Sequence, residues 1–356
     1  MPGWGEEVGR IVQQTLEIER NFATQGGKPT LILFFGSASH PVVKEALALL
    51  ASSRALFDDI HATFYGVTID PSDERDGRIA QQLPGIRFFR DYDRSVSRRF
   101  DVIDDGGYAP CWLLLDRTWR VAGSFLLQDG EAAIAALQAL IDGSPGPDWA
   151  PVVMIPNVIE PALCQELVER HRASNNAAGV MREVAGETRL VFDAISKVRR
   201  DHYIHQGDLA VQLIARLKHR AGPMIKRCFQ YDMVHVERLV IGCYDADEGG
   251  HFRAHRDNTT SGTMHRQFAV TINLNSEEYD GGDLSFPEFG GRTYRAPTGA
   301  AIVFSCGLLH SVSRVTRGRR YALLPFLYDD AQKKVRDQNY ARINRTPLHM
   351  DDATPT

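Results

Sequence analysis

The stretch GGHFRAHRDN, from Gly249 to Asn258, places a histidine and an aspartate two positions apart, at His255 and Asp257. In an extended segment, residues i and i+2 point to the same side of the strand. One imidazole and one carboxylate would therefore face a common point. A metal ion bound there needs a third protein ligand from a neighbouring strand.

The third ligand is predicted at His310, which follows the strong strand pattern GAAIVFSC. Two histidines and one carboxylate that leave open positions form the facial arrangement of non-haem Fe(II) oxygenases. Arg320 follows ten residues later, on the next predicted strand. Its guanidinium could hold a carboxylate of a keto-acid cosubstrate in a forked pair.

A second pair with the same spacing, His235 and Glu237, competes for the metal. It lies early in a predicted strand and lacks a glycine-rich approach to a pocket, so we interpret both as half-exposed strand residues. His251 is interpreted as a rim or substrate contact, because Arg253, two positions later, cannot bind iron. The sequence therefore favours the pair that begins at His255.

Arg319 is an alternative to Arg320 as the carboxylate anchor. Adjacent strand residues face opposite sides, so only one of the two can point inward. The position relative to His310 favours Arg320.

The bulk composition sets limits on the class of protein. The chain has 356 residues, of which 43% are hydrophobic and 24% charged, with a net charge of −4. This length predicts two domains, and the charge gives no reason to expect nucleic acid or a membrane surface as a partner. The five cysteines are scattered without a C-x-x-C motif, and the start lacks a signal-peptide pattern. We therefore expect a cytoplasmic protein whose cysteines are mostly buried apolar residues.

The two halves of the chain have different predicted patterns of secondary structure. Residues 1–145 alternate strand and helix patterns, such as TLILFF and PVVKEALALL, which predicts an α/β fold. The Pro- and Gly-rich stretch Asp142–Pro151 is the predicted linker. Residues 152–330 begin with two helices, the second expected to be capped by Asp208. They continue as short strands that indicate a jelly roll buttressed by those helices, and residues 331–356 are predicted to be a polar tail.

Residues 152–330 resemble the iron- and 2-oxoglutarate-dependent dioxygenases, in particular their prolyl-4-hydroxylase-like branch. The matching stretches, in order, are CYDADEGGHFRAHRDN, TINLN, YDGGDLSFPEFG and HSVSRVTRGRRYAL. The resemblance implies a double-stranded β-helix that binds Fe(II), 2-oxoglutarate and O2. It also implies that His255, Asp257 and His310 are the metal ligands and that Arg320 anchors the distal carboxylate of 2-oxoglutarate.

Two further positions follow from this resemblance. Tyr244 matches a tyrosine that lines the cosubstrate pocket. Asn273, in TINLN, stands where many relatives have a tyrosine; it is shorter but could still hydrogen-bond a carboxylate. Because related halogenases leave the carboxylate position empty for chloride, Asp257 favours hydroxylation.

Residues 30–125 resemble peroxiredoxins and other thioredoxin-fold proteins, through LILFFGSASHPVVKEAL, GVTIDP, LPGIRFFRDYDRSVSRRF and APCWLLLDRTWRV. A peroxidase of this kind needs a thiolate at a helix start, and here His40 holds that position. Cys111, the only cysteine of the domain, is interpreted as a packed strand residue that follows Pro110, where this fold often has a cis-proline. The front domain is therefore expected to be a degenerate module for binding, dimerisation or substrate presentation.

The predicted function is hydroxylation of a C–H bond in an amino-acid-type substrate, either a small molecule or a peptidyl residue, with release of succinate and CO2. The stretch Asn258–His265 is expected near the mouth of the site and names no substrate. A homo-oligomer is compatible with this function. The alternative from another class is a thioredoxin-fold redox or scaffold protein whose β-domain is inactive; iron-dependent succinate production separates the two.

Overall fold

The computed structural model describes residues 12–14, 19–21, 26–104, 107–143, 149–184 and 186–349. The described chain forms two compact units. One contains the residues before Trp149 together with Pro287–Gly290, and the other contains the remainder. The predicted linker spans this division, although its residues 144–148 lie outside the described part of the chain.

The first unit alternates strands and helices in the way that the sequence predicts. Its elements are β1 (Val12–Gln14), β2 (Glu19–Asn21), β3 (Thr30–Gly36), α1 (Pro41–Ser52), β4 (Thr63–Thr68), α2 (Ser72–Arg75), β5 (Ile86–Arg90), α3 (Ser95–Arg99), β6 (Ile103–Asp104), β7 (Gly107–Tyr108), β8 (Cys111–Leu115), β9 (Val121–Leu126) and α4 (Gly130–Asp142). Five strands form one sheet in the order β5-β4-β3-β8-β9. Strands β5, β4 and β3 are parallel to one another, and β8 is antiparallel to both of its neighbours, β3 and β9. This is a thioredoxin-like arrangement.

This sheet is buried on both faces. Leu31 and Leu33 of β3 belong to the cluster that α1 and α4 cover. The alternate residues Ile32 and Phe34 belong to a second cluster, with Val96 of α3. Because side chains of a strand alternate between the faces, the continuous apolar run TLILFF fills both layers.

A histidine, His40, occupies the position before α1 at which peroxiredoxins carry their reactive cysteine, as the sequence indicates. His40 is the residue before α1, and Pro41 opens the helix. Cys111 is 5% exposed at the start of β8. The cis-proline associated with Pro110 was a wrong expectation: in the described chain the cis peptide bond is Leu83–Pro84.

Thiol labelling should separate the five cysteines. Cys228 is exposed on the protein surface, whereas the other four are buried, at positions 111, 164, 243 and 306. Burial raises the pKa of the Cys111 thiol to about 11, so little thiolate forms at neutral pH. We expect iodoacetamide to modify Cys228 within minutes in the folded protein and the others only after unfolding, as measured by peptide mass spectrometry. Rapid labelling of Cys111 in the folded protein would contradict its interpretation as a buried strand residue and would favour a redox role for its thiol.

The second unit is built mainly of short strands. Its elements are β10 (Val152–Ile155), α5 (Pro161–Ala173), β11 (Asn176–Ala177), β12 (Val180–Val184), β13 (Glu187–Phe192), β14 (Lys197–Val198), β15 (Arg200–Ile204), α6 (Asp208–Arg216), α7 (Gly222–Phe229), β16 (His235–Glu237), β17 (Leu239–Asp245), β18 (His251–His255), β19 (Phe268–Asn273), β20 (Asp280–Gly281), β21 (Leu284–Ser285), β22 (Thr293–Tyr294), β23 (Ala301–Ser305), β24 (His310–Val312), β25 (Val315–Arg317), β26 (Arg319–Leu323), β27 (Phe326–Tyr328), α8 (Asp330–Asn339) and β28 (Ile343–His349).

Two sheets make the jelly roll. The larger has the order β10-β23-β19-β26-β17-β15-β11, with β16 and β27 attached, and the smaller has the order β14-β18-β24-β21-β22. Ile241 and Cys243 of β17 join the apolar cluster that also contains Leu167 of α5 and Leu213 of α6. The alternate residues of the strand, including Tyr244, therefore face the interior of the roll. This double-stranded β-helix is the fold that the sequence predicts.

Two details differ from the sequence-based expectations. Gly207 occupies the N-cap of α6, so Asp208 is the first helical residue, and its side chain makes no cap hydrogen bond. The segment predicted as a polar tail forms α8 and β28, and β28 pairs in parallel with β13. Asp329 begins α8 by accepting a hydrogen bond from the backbone N–H of Gln332. None of the helices in the described chain combines the length and apolar character that a bilayer crossing requires.

Candidate metal and cosubstrate site

The structure brings the three predicted metal ligands together. His255 ends β18 and His310 begins β24, and the two residues are directly opposite each other in the smaller sheet. Asp257 lies beyond β18, where its backbone N–H donates to the Cys306 carbonyl at 3.0 Å. Its carboxylate oxygens lie 3.5 Å from Nε2 of His255 and 3.4 Å from Nε2 of His310. These are the donor atoms of one candidate metal centre, and they all lie within 4.8 Å of one another.

The hydrogen bonds of the two imidazoles suit a metal. Nδ1 of His255 lies 2.8 Å from the Arg253 carbonyl, and Nδ1 of His310 lies 3.0 Å from the Leu308 carbonyl. A carbonyl only accepts, so each Nδ1 carries the proton and each Nε2 keeps its lone pair. Such outer hydrogen bonds fix the tautomer and ring orientation of ligating histidines. The donor set therefore fits a divalent cation such as Fe(II).

Electrostatics favour the ligating protonation states. Burial, and then the neighbouring His255, lower the pKa of His310 to about 4, so its imidazole is neutral at pH 7. Burial alone would raise the pKa of Asp257, but the two histidines outweigh it and hold that pKa below its usual range. At neutral pH the centre therefore presents the carboxylate of Asp257 and the neutral imidazole of His310.

Aromatic side chains pack against the two histidine ligands. The ring of Phe252 stacks on His255 with a centroid distance of 3.5 Å. Phe304 and Phe286 lie against His310, at 4.7 and 6.3 Å. Low local polarity strengthens the interactions of charged groups at the centre.

Arg320 points into the roll, as predicted, and its guanidinium is incompletely paired. The residue is 3% exposed. Nη2 donates to Thr271 Oγ1 at 3.1 Å and to Asn273 Oδ1 at 3.3 Å, while Nε and Nη1 have no hydrogen-bond partner in the described chain. Burying a guanidinium with two unsatisfied donor groups lowers the stability of the folded protein. The two free donor groups fit a bound carboxylate in a forked geometry.

Arg319 points outward instead. Its Nε donates to Asp245 at 2.6 Å, and its side chain is 53% exposed. The alternation of the strand thus separates the two arginines, which the sequence could rank only by position.

Tyr244 and Asn273 both lie beside Arg320, and each also hydrogen-bonds to another residue. Tyr244 is directly opposite Arg320, on β17, and its hydroxyl accepts from Nη1 of Arg199 at 3.4 Å. The side-chain oxygen of Asn273 accepts a hydrogen bond from Arg320. Its amide N–H donates to the Ala296 carbonyl at 2.9 Å. Asn273 therefore orients the guanidinium.

Thr271 was missed in the sequence analysis, although its position two residues before Asn273 on the same strand could have revealed it.

The competing pair is divided between two environments. His235 hydrogen-bonds to the exposed Asp330 at 2.7 Å. The carboxylate of Glu237 is held by Arg266, at 2.7 and 2.9 Å, and by His265, at 2.8 Å. No common point is left for a metal between them.

His251 contacts the backbone carbonyls of Gly249 and Ile195, at 2.9 and 3.1 Å, and so contributes to the fold of this loop.

The pair of Glu237 and Arg266 should contribute strongly to stability. Burial would raise the pKa of Glu237, but Arg266 and His265 lower it well below its usual range. Replacing Arg266 with Met leaves a buried carboxylate without its main partner, and we expect a loss of about 3–5 kcal/mol in the free energy of unfolding. Urea denaturation measures this loss.

A matched control for that variant is Arg170→Met, which breaks the half-exposed pair of Arg170 and Glu166 on α5 and should cost less than about 1 kcal/mol. The pH dependence gives a second check. Because the pKa of Glu237 is depressed in the folded state, its stabilisation is present above about pH 4.3 and is lost as the pH falls towards the folded-state pKa. The stability of the Arg266→Met variant should decline less steeply on acidification; equal stability losses in both variants would refute the assignment.

Comparison with known proteins agrees with this geometry. Residues 239–328 match the family model described as the 2OG-Fe(II) oxygenase superfamily. A PKHD-type hydroxylase of Cupriavidus metallidurans is 27% identical over 213 residues, which cover 57% of this chain and 86% of that protein. A PKHD-type hydroxylase of Synechococcus is 32% identical over 114 residues, which cover 30% of this chain and 48% of the relative. The chain thus spans about half the length of relatives matched at that identity.

Solved structures resemble each half of the chain. A prolyl-4-hydroxylase of Pseudomonas putida is 19% identical with a TM-score of 0.39, and the match covers 50% of this chain and 92% of that one. Peroxiredoxin Q of Xanthomonas campestris is 23% identical with a TM-score of 0.32, and the match covers 37% of this chain and 92% of that one.

Proposed function

We propose that this chain, whose C-terminal half carries a 2OG-Fe(II) oxygenase domain, hydroxylates a C–H bond of an amino-acid-type substrate and releases succinate and CO2. The observation that carries the proposal is the convergence of His255, Asp257 and His310 in one roll with the incompletely paired guanidinium of Arg320. The first set fits Fe(II), and the guanidinium fits the distal carboxylate of 2-oxoglutarate.

Each group has a defined task in this reaction. His255, Asp257 and His310 would hold Fe(II) on one side and leave positions open for cosubstrate and O2. Fe(II) and 2-oxoglutarate, when bound, supply the oxidising chemistry. Arg320 fixes the far end of the cosubstrate, and Asn273 and Thr271 hold the guanidinium in place. The aromatic rings around the histidines keep water from the reacting groups.

The carboxylate at Asp257 supports hydroxylation over halogenation, because it occupies the coordination position that a halide would need. The hydroxylase relatives support the same reaction class. We propose an amino-acid-type substrate because the sequence motifs resemble those of prolyl-4-hydroxylases.

We propose that residues 1–145 serve as a binding or substrate-presenting module without peroxidase activity, and that residues 152–330 form the catalytic domain. The histidine at position 40 and the buried thiol of Cys111 support the first assignment.

The function is tested by metal-dependent consumption of 2-oxoglutarate. The purified chain, stripped with a chelator, should convert no 2-oxoglutarate to succinate in air, and added Fe(II) should restore slow conversion even before the substrate is known. Zn(II) is the control, because it can occupy His/carboxylate sites but does not undergo redox change. Well-folded, iron-loaded protein that makes no succinate would refute the proposal and favour a scaffold with an inactive β-domain.

A further inference from the structure

The interior of the roll carries more cationic side chains than iron and 2-oxoglutarate require. On β17 the residues that face inward are Tyr244, Gly242 and Val240, since their neighbours join the outer apolar cluster. Directly opposite, Asp201 of β15 pairs with Gly242. A Cβ at Gly242 would lie 2.9 Å from the side chain of Arg199. The glycine therefore leaves room for that arginine to lie flat on the inner face of the sheet.

Two of the additional arginines are neutralised by a carboxylate. Arg199 forms a forked pair with Asp201, with distances of 2.6 and 2.7 Å. Arg266 forms a second forked pair with Glu237. These bidentate arrangements satisfy both partners, so neither arginine is available for a ligand.

Arg238 lacks such a partner. It is half-buried between β16 and β17, and its guanidinium lies 4.9 Å from the ring centroid of Phe326. Within the described residues its Nε is buried without a hydrogen bond, and the carboxylate of its neighbour Glu237 is held by Arg266 and His265. Its backbone has a φ of 38°, a conformation that side-chain-bearing residues rarely adopt and that concentrates at ligand-binding sites.

Lys197 is the second incompletely paired cation. It is 7% exposed, and its ammonium group donates to the Gly179 carbonyl at 2.8 Å. The ring of Phe252, which stacks on the metal ligand His255, lies 4.9 Å from the same nitrogen. Burial, and then the charge of Arg199, lower the pKa of Lys197. A bound anion would favour the charged form and raise that pKa again.

Within the described chain, two of these basic side chains have no carboxylate hydrogen-bonded to them. Arg199 is paired with Asp201 and Arg266 with Glu237. Arg320 is the proposed anchor of 2-oxoglutarate. Lys197, which donates to a backbone carbonyl, and Arg238, whose Nε has no hydrogen bond among the described residues, are therefore the basic groups left for a further anionic ligand.

We propose that Lys197 and Arg238 bind a carboxylate of the substrate. The substrate is then a free amino acid or the C-terminal residue of a peptide, rather than a residue inside a polypeptide, whose flanking amides are neutral. This inference rests on the proposed function and specifies its substrate class. Lys197 contacts the aromatic ring beside an iron ligand, which places the bound carboxylate close to the oxidising centre.

The test uses the anaerobic complex of the full chain with Fe(II) and 2-oxoglutarate, whose weak visible charge-transfer band responds to substrate binding. The probes are the common L-amino acids, each beside its primary amide and its N-acetyl derivative. Wild type is compared with Lys197→Met, Arg238→Gln and the control Arg317→Gln, whose side chain is 64% exposed. We expect at least one acid to perturb the band at a concentration at least tenfold below that of its amide.

Both site variants should keep the band itself and lose this preference for the acid, whereas Arg317→Gln should behave as wild type. Binding of the N-acetyl acid would identify a peptide C-terminus as the substrate, and its rejection would identify a free amino acid. Equal responses to acids and amides, or a preference that is unchanged in either folded site variant, would overturn the inference. A wild-type protein without any band would instead mean that the iron site itself fails.

Discussion

Replacing His310 with Ala should weaken the binding of Fe(II) by more than about 100-fold. The residue supplies one of three donors, and its Nδ1 hydrogen bond to Leu308 holds the lone pair of Nε2 towards Asp257. Loss of an outer hydrogen-bond partner of a metal ligand already costs roughly 10- to 100-fold in affinity, so loss of the ligand should exceed about 100-fold. Anaerobic equilibrium dialysis with metal analysis measures the effect directly.

The matched control for this variant is His235→Ala. His235 belongs to the competing motif and is paired with Asp330, so its removal should leave one equivalent of bound iron. Circular dichroism should show both variants folded. Iron binding that survives in the His310 variant and disappears in the His235 variant would reverse our assignment of the metal centre.

Replacing Arg320 with Met should raise the dissociation constant of 2-oxoglutarate by roughly 10- to 100-fold, because a hydrogen bond to a charged group contributes about 1.5–3 kcal/mol and each 1.4 kcal/mol is a factor of ten. Titration of the anaerobic Fe(II) protein by its charge-transfer band gives this constant. Methionine is apolar and fills much of the buried volume, so the roll should stay closed.

Stability without ligands provides an independent check on Arg320. The unliganded protein buries two unsatisfied donor groups of this side chain, so the methionine variant should be no less stable than wild type in the absence of 2-oxoglutarate. Added iron should stabilise both proteins, and 2-oxoglutarate added after iron should stabilise wild type more than the variant at the same concentration. Arg319→Met is the control, because its outward pair with Asp245 lies at the surface. A stronger effect on 2-oxoglutarate from the Arg319 variant would refute the orientation.

Much of the site could be predicted from the sequence because its rules are local. The alternation of strand side chains predicts that His255 and Asp257 share a side and that Arg319 and Arg320 do not. The strand pattern GAAIVFSC predicts that His310 lies just beyond a strand, and the structure makes it the first residue of the next strand, β24. These inferences depend only on the spacing of neighbouring residues along a strand and on the order of the motifs in the sequence.

The partners of buried polar groups could not be predicted in this way. Glu237 meets Arg266 only because β16 pairs with β27 beside the loop that carries His265 and Arg266. Asn273 is committed to the Ala296 carbonyl, 23 residues away, although the motif alone suggested a direct contact with 2-oxoglutarate. Such contacts depend on strand register and on the packing of two sheets, which no local pattern specifies.

The sequence by itself therefore determined the two fold classes, the three candidate ligands and the residue type at the cosubstrate anchor, because side-chain periodicity and motif order are properties of the chain. The tertiary structure decided which charges inside the roll are compensated. Asp201 neutralises Arg199 and Glu237 neutralises Arg266. Among the described residues, the Nε of Arg238 has no hydrogen bond, and the ammonium group of Lys197 donates to a backbone carbonyl. The physical reason is that the net charge of a buried site depends on distances between residues far apart in sequence, and only folding sets those distances.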